Sequence, residues 1–227
     1  MRIDTHAHTI YSRHSFWGSD ALNTPLDMIK AAIKNGLNGL AITDHNTVRG
    51  SLIAKKEAKR FKGFLILTGS EIRTKEGEII ALGIKENVPM NLSIEETVEK
   101  IKDLGGVSIA PHPFGSFIFR RCAGKKSLRA DAIEVYNSTL TKNQNNKALS
   151  LARLFKKSIT AGSDAHSARV VGNAGIIVDG DPIECILKNK LKIFGKHTSI
   201  LEIANITYRK FARSIEWRIT GRRKNYI

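Results

Sequence analysis

Residues 158–166 read SITAGSDAH, a short apolar run that breaks at Gly162 into Ser163, Asp164 and His166. The same design recurs as GLAITDH at 39–45, FLILTGSEI at 64–72 and GVSIAPHP at 106–113, and DAIEVYN at 131–137 ends the same way on Asn137. Short runs rich in Ile, Val, Leu and Ala bounded by turn residues predict buried strands. RIDTHAHT at 2–9 is a weaker sixth candidate. Between the runs lie amphipathic stretches at helical spacing: Pro25 to Asn35, Ser93 to Leu104 with a Ser-x-x-Glu start, Asn143 to Phe155, and a shorter one from Pro182 to Leu187. GSEIRTKEGEIIALGI, turning at Lys75-Glu76-Gly77, predicts a hairpin instead. Alternating strands and helices imply an α/β fold with a parallel sheet flanked by helices, open or closed into a barrel. In either form, polar residues at the carboxyl ends of the strands gather on one rim.

The chain has 227 residues, with 41% apolar and 26% charged side chains, a balance that excludes disordered and fibrous classes. No apolar run reaches the roughly 18 residues of a membrane span, so a cytoplasmic protein with no membrane partner is expected. Two cysteines, Cys122 and Cys185, are too few for a disulfide framework or a cysteine zinc site. The net charge of +16 favours polyanionic partners or phosphorylated substrates. Part of that excess lies in the tail, where Arg209, Lys210, Arg213, Arg218, Arg222, Arg223 and Lys224 are opposed by Glu216 alone. A barrel domain over residues 1–197 and a basic helix and tail over 198–227 are expected. Residues 200–219 should form a helix, with Leu201, Ala204, Ile206, Phe211, Ile215 and Trp217 interleaved with cations so that one side packs on the barrel. The sequence leaves the oligomeric state open.

Of seven histidines, His6 and His8, His45 after Asp44, and His166 after Asp164 fall in three short constellations, while His112 precedes Pro113 and His14 follows Arg13. Strand residues two apart point to one side, so His6 and His8 can offer two imidazoles to one ion, and Asp164 and His166 a carboxylate and an imidazole. Taken alone, Asp44, Glu71 or Asp164 could equally cap a following helix. Their joint occurrence at strand ends favours a divalent metal site, and nitrogen and oxygen donors suit zinc, manganese and iron.

His6-Ala7-His8, Thr43-Asp44-His45, Gly69-Ser70-Glu71, His112-Pro113, Ile133-Glu134-Val135-Tyr136-Asn137 and Gly162-Ser163-Asp164-Ala165-His166 stand in the order seen in the polymerase and histidinol phosphatase (PHP) family. Over about residues 2–178 the chain resembles its small stand-alone metal-dependent phosphoesterases. The resemblance implies a distorted (β/α) barrel of parallel strands with two or three divalent ions (Zn, Mn or Fe) in a cleft at the carboxyl ends of the strands. It assigns His6, His8, Glu71 and Asp164 to a first ion, and to a second the bridging Glu71 with His112. His14, His45 and His166 would hold a third. Two departures stand out: Arg13-His14 replaces the Asp-Gly of many members, and Glu78 stands near the place of a usual histidine, as the candidate that would replace it as a ligand of the second ion.

The implied activity is hydrolysis of a phosphomonoester or a nucleotide or nucleic-acid phosphoester by a metal-bound hydroxide. Asp44 and His166 are the catalytic candidates, Asp44 by orienting His45 or shuttling a proton. Arg13, Arg120, Arg121, Arg169 and Asn137 are candidates for binding substrate, arginine because its planar fork suits phosphate. The partner would be a phosphorylated small molecule or nucleic acid. Histidinol-phosphate phosphatase is an alternative within the same chemistry, and a nucleic-acid-binding protein with a structural metal site is one outside it.

Overall fold

The computed structural model describes residues 1–14, 18–115 and 121–220, the side chains of residues 13, 14, 18, 217 and 218 excepted. Its elements in chain order are β1 (Arg2–Asp4), β2 (Arg13–His14), β3 (Gly18–Ser19), α1 (Pro25–Lys34), β4 (Gly39–Ile42) and α2 (Arg49–Glu57). Then come β5 (Leu65–Arg73), β6 (Glu78–Leu82), α3 (Ile94–Asp103), β7 (Val107–Ala110), β8 (Ala132–Asn137) and α4 (Lys142–Leu154). The chain continues through β9 (Ser158–Gly162), β10 (Ala174–Ile177), α5 (Pro182–Leu187), β11 (Lys192–Gly195) and α6 (Ile200–Thr220).

Helix starts follow from local chemistry. Thr24, Ser93 and Thr141 each accept the backbone N–H three residues on, while Asp27, Glu96 and Gln144 reach back to close a capping box. Such caps satisfy orphan N–H groups and stabilise a helix by about 1 kcal/mol each. In β4 the period of two divides the side chains: Leu40 and Ile42 pack with Met28, Ile29 and Ala32 of α1, whereas Ala41 joins Ile3, Leu67, Ile80, Leu82 and Ile109.

Nine strands form one sheet in the order β11-β10-β1-β4-β5-β6-β7-β8-β9. Beyond β1 the chain leaves β10 and bridges to the far end of the sheet, with Ala7 paired in parallel to Ala165. His8 N–H donates to the Ala165 carbonyl at 2.9 Å, and Thr5 Oγ1 donates to the Ala161 carbonyl at 2.9 Å. The result is the expected distorted barrel, nearly closed. Its sheet is mixed because the hairpin at Lys75-Glu76-Gly77 makes β6 antiparallel to both β5 and β7, while β1–β4–β5 and β7–β8–β9 run parallel. β10 and β11 add an antiparallel flap beside β1.

α6 corrects one expectation. Leu201, Phe211 and Ile215 are exposed, together with Ile200, Tyr208 and Ile219, and Ala204 is exposed too. Of the apolar residues expected to pack, Ile206 alone is buried among those whose side chains are described, in the cluster with Leu37, Val170 and Val171. The inward face instead carries Lys210, Arg213 and buried Ser214, because the neighbouring loop offers a carboxylate and two carbonyl oxygens for those cations to meet. Among the described residues no helix is long and apolar enough to cross a membrane.

Candidate metal centre

The carboxyl ends of β1, β4, β5, β7, β8 and β9 meet at one end of the barrel and bring together most of the expected ligands. His6 and His8 follow β1, His45 follows β4, Glu71 lies in β5, Glu78 opens β6, His112 follows β7, and Asp164 and His166 follow β9. Four overlapping donor sets result: His6, His8 and Asp164; His6, Glu71 and His112; His45, Glu71 and Glu78; and His8, His45 and His166.

Glu71 is the hub. Its Oε2 lies 3.3 Å from His6 Nε2, 3.2 Å from His8 Nε2 and 3.3 Å from His45 Nδ1, and its Oε1 lies 3.0 Å from His112 Nε2. Asp164 Oδ1 approaches His6, His8 and His166 at 3.5, 3.4 and 3.4 Å. Glu78 stands further out, 3.8 Å from His45 and 4.0 Å from His112. Backbone conformation is spent on this convergence: His112 and Asp164 hold φ of 31° and 52°, a region that costs side-chain-bearing residues of order 1 kcal/mol and persists where surroundings over-determine it.

The polar residues around the donors fix their orientation. Glu134, buried in β8, takes His6 Nδ1 at 2.9 Å on Oε1, and on Oε2 accepts the His112 backbone N–H and Asn137 Nδ2, both at 2.9 Å. Asn137 Nδ2 also reaches Asp164 Oδ2 at 3.3 Å. Gly162 leaves the room this needs, since a Cβ there would lie 2.4 Å from His6 Cβ and 2.8 Å from Glu134 Oε1. Asp4 accepts N–H groups from His6, Ser163 and Gly172, pinning β1 to the end of β9. Asp44 faces Thr9, accepting its backbone N–H and its hydroxyl at 2.7 Å, and so braces the segment after His8 rather than the ring of His45.

Asp20 was not anticipated from the sequence. It is buried, and its Oδ2 lies 3.0 Å from His166 Nε2 and 3.4 Å from His45 Nε2, beside the donor set of His8, His45 and His166. Its only sequence signal is an acid within the polar stretch that follows the opening histidine pair. The side chains of Arg13 and His14, and the whole of Arg120, lie outside the described residues, as do Arg222, Arg223 and Lys224. Arg121 is exposed. Arg169 is half-extended to solvent and paired with Glu202 of α6 through Nε at 2.7 Å and Nη2 at 3.2 Å. Asn137 is fully buried among the contacts described above.

The electrostatics are those of a site built for cations. Burial alone would make the His6 and His45 rings shed protons, yet Asp164, Glu134 and Glu71 raise His6 well above the usual range, and Glu71, Asp20 and Glu78 raise His45 to about 9. Burial would raise Glu71 and Asp20, but the surrounding histidines, and Lys210 beside Asp20, hold both well below the usual carboxylate range. His166 goes the other way: burial, reinforced by His8 and Lys210 against the pull of Asp20, lowers it to about 4.

A neutral His166 stands between two acceptors, the Asp164 carbonyl 3.0 Å from Nδ1 and Asp20 Oδ2 3.0 Å from Nε2, and its single ring N–H can serve only one of them, so a lone pair faces the other oxygen. His6 Nε2 and His8 Nε2, both buried at 0% exposure, lie 3.1 Å apart. Donor atoms about 3 Å apart have the spacing of two ligands whose bonds of roughly 2.1 Å share a centre. The donor set therefore fits divalent cations.

Comparison with known proteins agrees with this geometry. A family model described as PHP-associated matches residues 142–188, the stretch that carries Asp164 and His166. An uncharacterized protein of Methanocaldococcus jannaschii is 44% identical over 144 residues, covering 61% of this chain and 82% of that protein. A protein of Vibrio campbellii named a probable phosphatase is 27% identical over 217 residues, covering 78% of this chain and 82% of that one. Among solved structures, a two-domain protein from Bacteroides vulgatus containing a predicted PHP-like metal-dependent phosphoesterase superposes with a TM-score of 0.68 at 17% identity. That likeness covers 86% of this chain but 65% of the Bacteroides chain, and it shows the shared fold. The PHP-associated match, the shared fold, the nearly closed barrel and the histidine and carboxylate clusters at its rim agree, and the chain carries a PHP-like domain.

Proposed function

We propose that the protein hydrolyses a phosphomonoester or a nucleotide or nucleic-acid phosphoester at this centre, using two or three divalent ions of zinc, manganese or iron. The observation that carries the reading is Glu71, a buried carboxylate shared by two of the four donor sets and within 3.3 Å of four imidazoles. Structural carboxylates do not need four histidines. Divalent ions bound there would lower the pKa of water toward neutrality and offset the charge of a phosphoryl group.

This chain's residues supply the rest. His6, His8, Asp164, Glu71, His112, His45 and His166 act as ligands, with Asp20 completing the outer set and Glu78 closing the side toward His45 and His112. Glu134 and Asn137 hold His6 and Asp164 in register, and Asp44 holds the loop that carries His8. Neutral at pH 7, His166 contributes a lone pair and not a proton. Arg121 and Arg169 are the described cations among the candidates for steering phosphate toward the rim.

The test is a panel of phosphorylated metabolites including histidinol phosphate, mononucleotides and labelled oligonucleotides, assayed with each metal and after chelation. Turnover that disappears on chelation and returns with metal supports the reading, and the substrate hydrolysed assigns the class. Tight oligonucleotide binding with no turnover under any metal would overturn it in favour of a structural site.

A further inference from the structure

We propose that Lys210 sets how many ions the cleft holds, by placing an ammonium on Asp20 that weakens the outer ion's site. The inference rests on the metal-dependent reading above and deepens it. α6 is seated against the loop that follows β3, and its two inward cations meet the same few residues. Arg213 Nη2 donates to the carbonyl oxygens of Ala21 at 2.6 Å and Ser19 at 3.3 Å, gripping the backbone on both sides of Asp20. One turn earlier on the helix, Lys210 brings Nζ to 2.5 Å from Asp20 Oδ1, with its side chain only 15% exposed.

Asp20 is thus shared. One oxygen faces His166 Nε2 and His45 Nε2, and the other already has a counter-cation before any divalent ion arrives. In surroundings this poorly hydrated, a fixed positive charge on the outer carboxylate takes away part of the field that would hold the ion and adds like-charge repulsion. Asp20 lies 3.0 Å from His166 Nε2 and 3.4 Å from His45 Nε2, two of the three donors in the set of His8, His45 and His166, so the effect falls mainly there. A C-terminal helix therefore makes the outer ion exchangeable while the inner ones stay tight. The grip of Arg213 on the backbone keeps the Asp20 loop in place when the ammonium is removed, which separates charge from folding.

The experiment is calorimetric titration of chelated protein with Mn²⁺ or Zn²⁺, with bound metal counted after desalting at fixed free ion. Wild type is compared with Lys210→Met, which keeps the length of the stem, Lys210→Arg, which keeps the charge, and Asp20→Asn. The expected result is a weakest binding step tightened tenfold or more in Lys210→Met, unchanged tighter steps, wild-type behaviour in Lys210→Arg, and loss of the weakest step in Asp20→Asn. Lys210→Gln with helix content followed by circular dichroism serves if the Met variant unseats α6. A weakest step that is unchanged or weaker without the ammonium overturns the role of Lys210 and leaves the metal reading standing. No binding step in wild type overturns both.

Discussion

Glu71 sits where a carboxylate has the most to lose by becoming an amide. Gln would fill the same space, but two of the four donor sets would lose their shared negative charge, leaving His6, His8, His45 and His112 crowded around a neutral group. Glu71→Gln should lower bound metal by at least one ion per chain and reduce turnover about 100-fold or more, with a much smaller change in the unfolding midpoint of the chelated protein. Elemental analysis and denaturant titration on one preparation check this, and parallel loss of fold and activity would mark a structural carboxylate. Glu134 makes a subtler case. Its Oε1 takes the His6 ring while its Oε2 accepts two N–H donors, so an amide in Glu134→Gln must set an NH₂ against donors on one side. Metal affinity should fall about 10- to 100-fold, as for other groups that orient a ligating imidazole. Unchanged affinity in a metal titration would show that His6 needs no such support.

At the scale of elements, what could be read in advance follows where apolar periodicity was concentrated. The strands that lead to His45, Glu71, His112, Asn137 and His166, the helices with Thr24, Ser93 or Thr141 caps, and the hairpin after Arg73 all carry a local signal stronger than any competing one. α2 carried none, because it buries only Gly50, Ser51 and Ala54, and its tight approach to Asp44 excludes a larger residue at Gly50. β10 and β11 are four residues each and gain their definition from pairing with β1 and with one another, a long-range fact. Asp20, Glu134 and Asp4 escaped for a related reason: they lie outside the histidine motifs and matter only through what folds against them. α6 shows the limit of amphipathic reasoning, since its apolar positions point to solvent while cations point inward. Ile206→Ala should accordingly cost about 2 kcal/mol, as for truncation of a buried branched side chain, and Phe211→Ala well under half of that. Urea unfolding, with hydrogen exchange along α6 to detect local undocking, distinguishes the two, and equal losses would place Phe211 in the core.

For the whole molecule, closing the barrel forces buried carboxylates and imidazoles together, and the chelated protein stabilises that assembly with protons. His6 is raised well above its ordinary value and His45 to about 9, both by neighbouring carboxylates acting against burial. Groups whose folded pKa exceeds the unfolded value of about 6.5 contribute stability that is fully present below that value and lost as pH rises through the folded pKa. Chelated protein should therefore become less stable from about pH 6.5 to 9. Divalent ions take over the role of those protons, so loaded protein should lose little stability across the same interval. The stabilisation due to metal, of order 3 kcal/mol per site at a hundredfold excess over the dissociation constant, should widen with pH. Proton release on metal binding, measured by calorimetry in buffers of different ionisation enthalpy, should be near one or more per chain at pH 7 and should decline as pH rises through about 9, where His45 loses its proton. Metal affinity that is flat with pH over this range would mean that the imidazoles are already neutral in the empty cleft, and that some other group balances the charge of Glu71, Glu134 and Asp164.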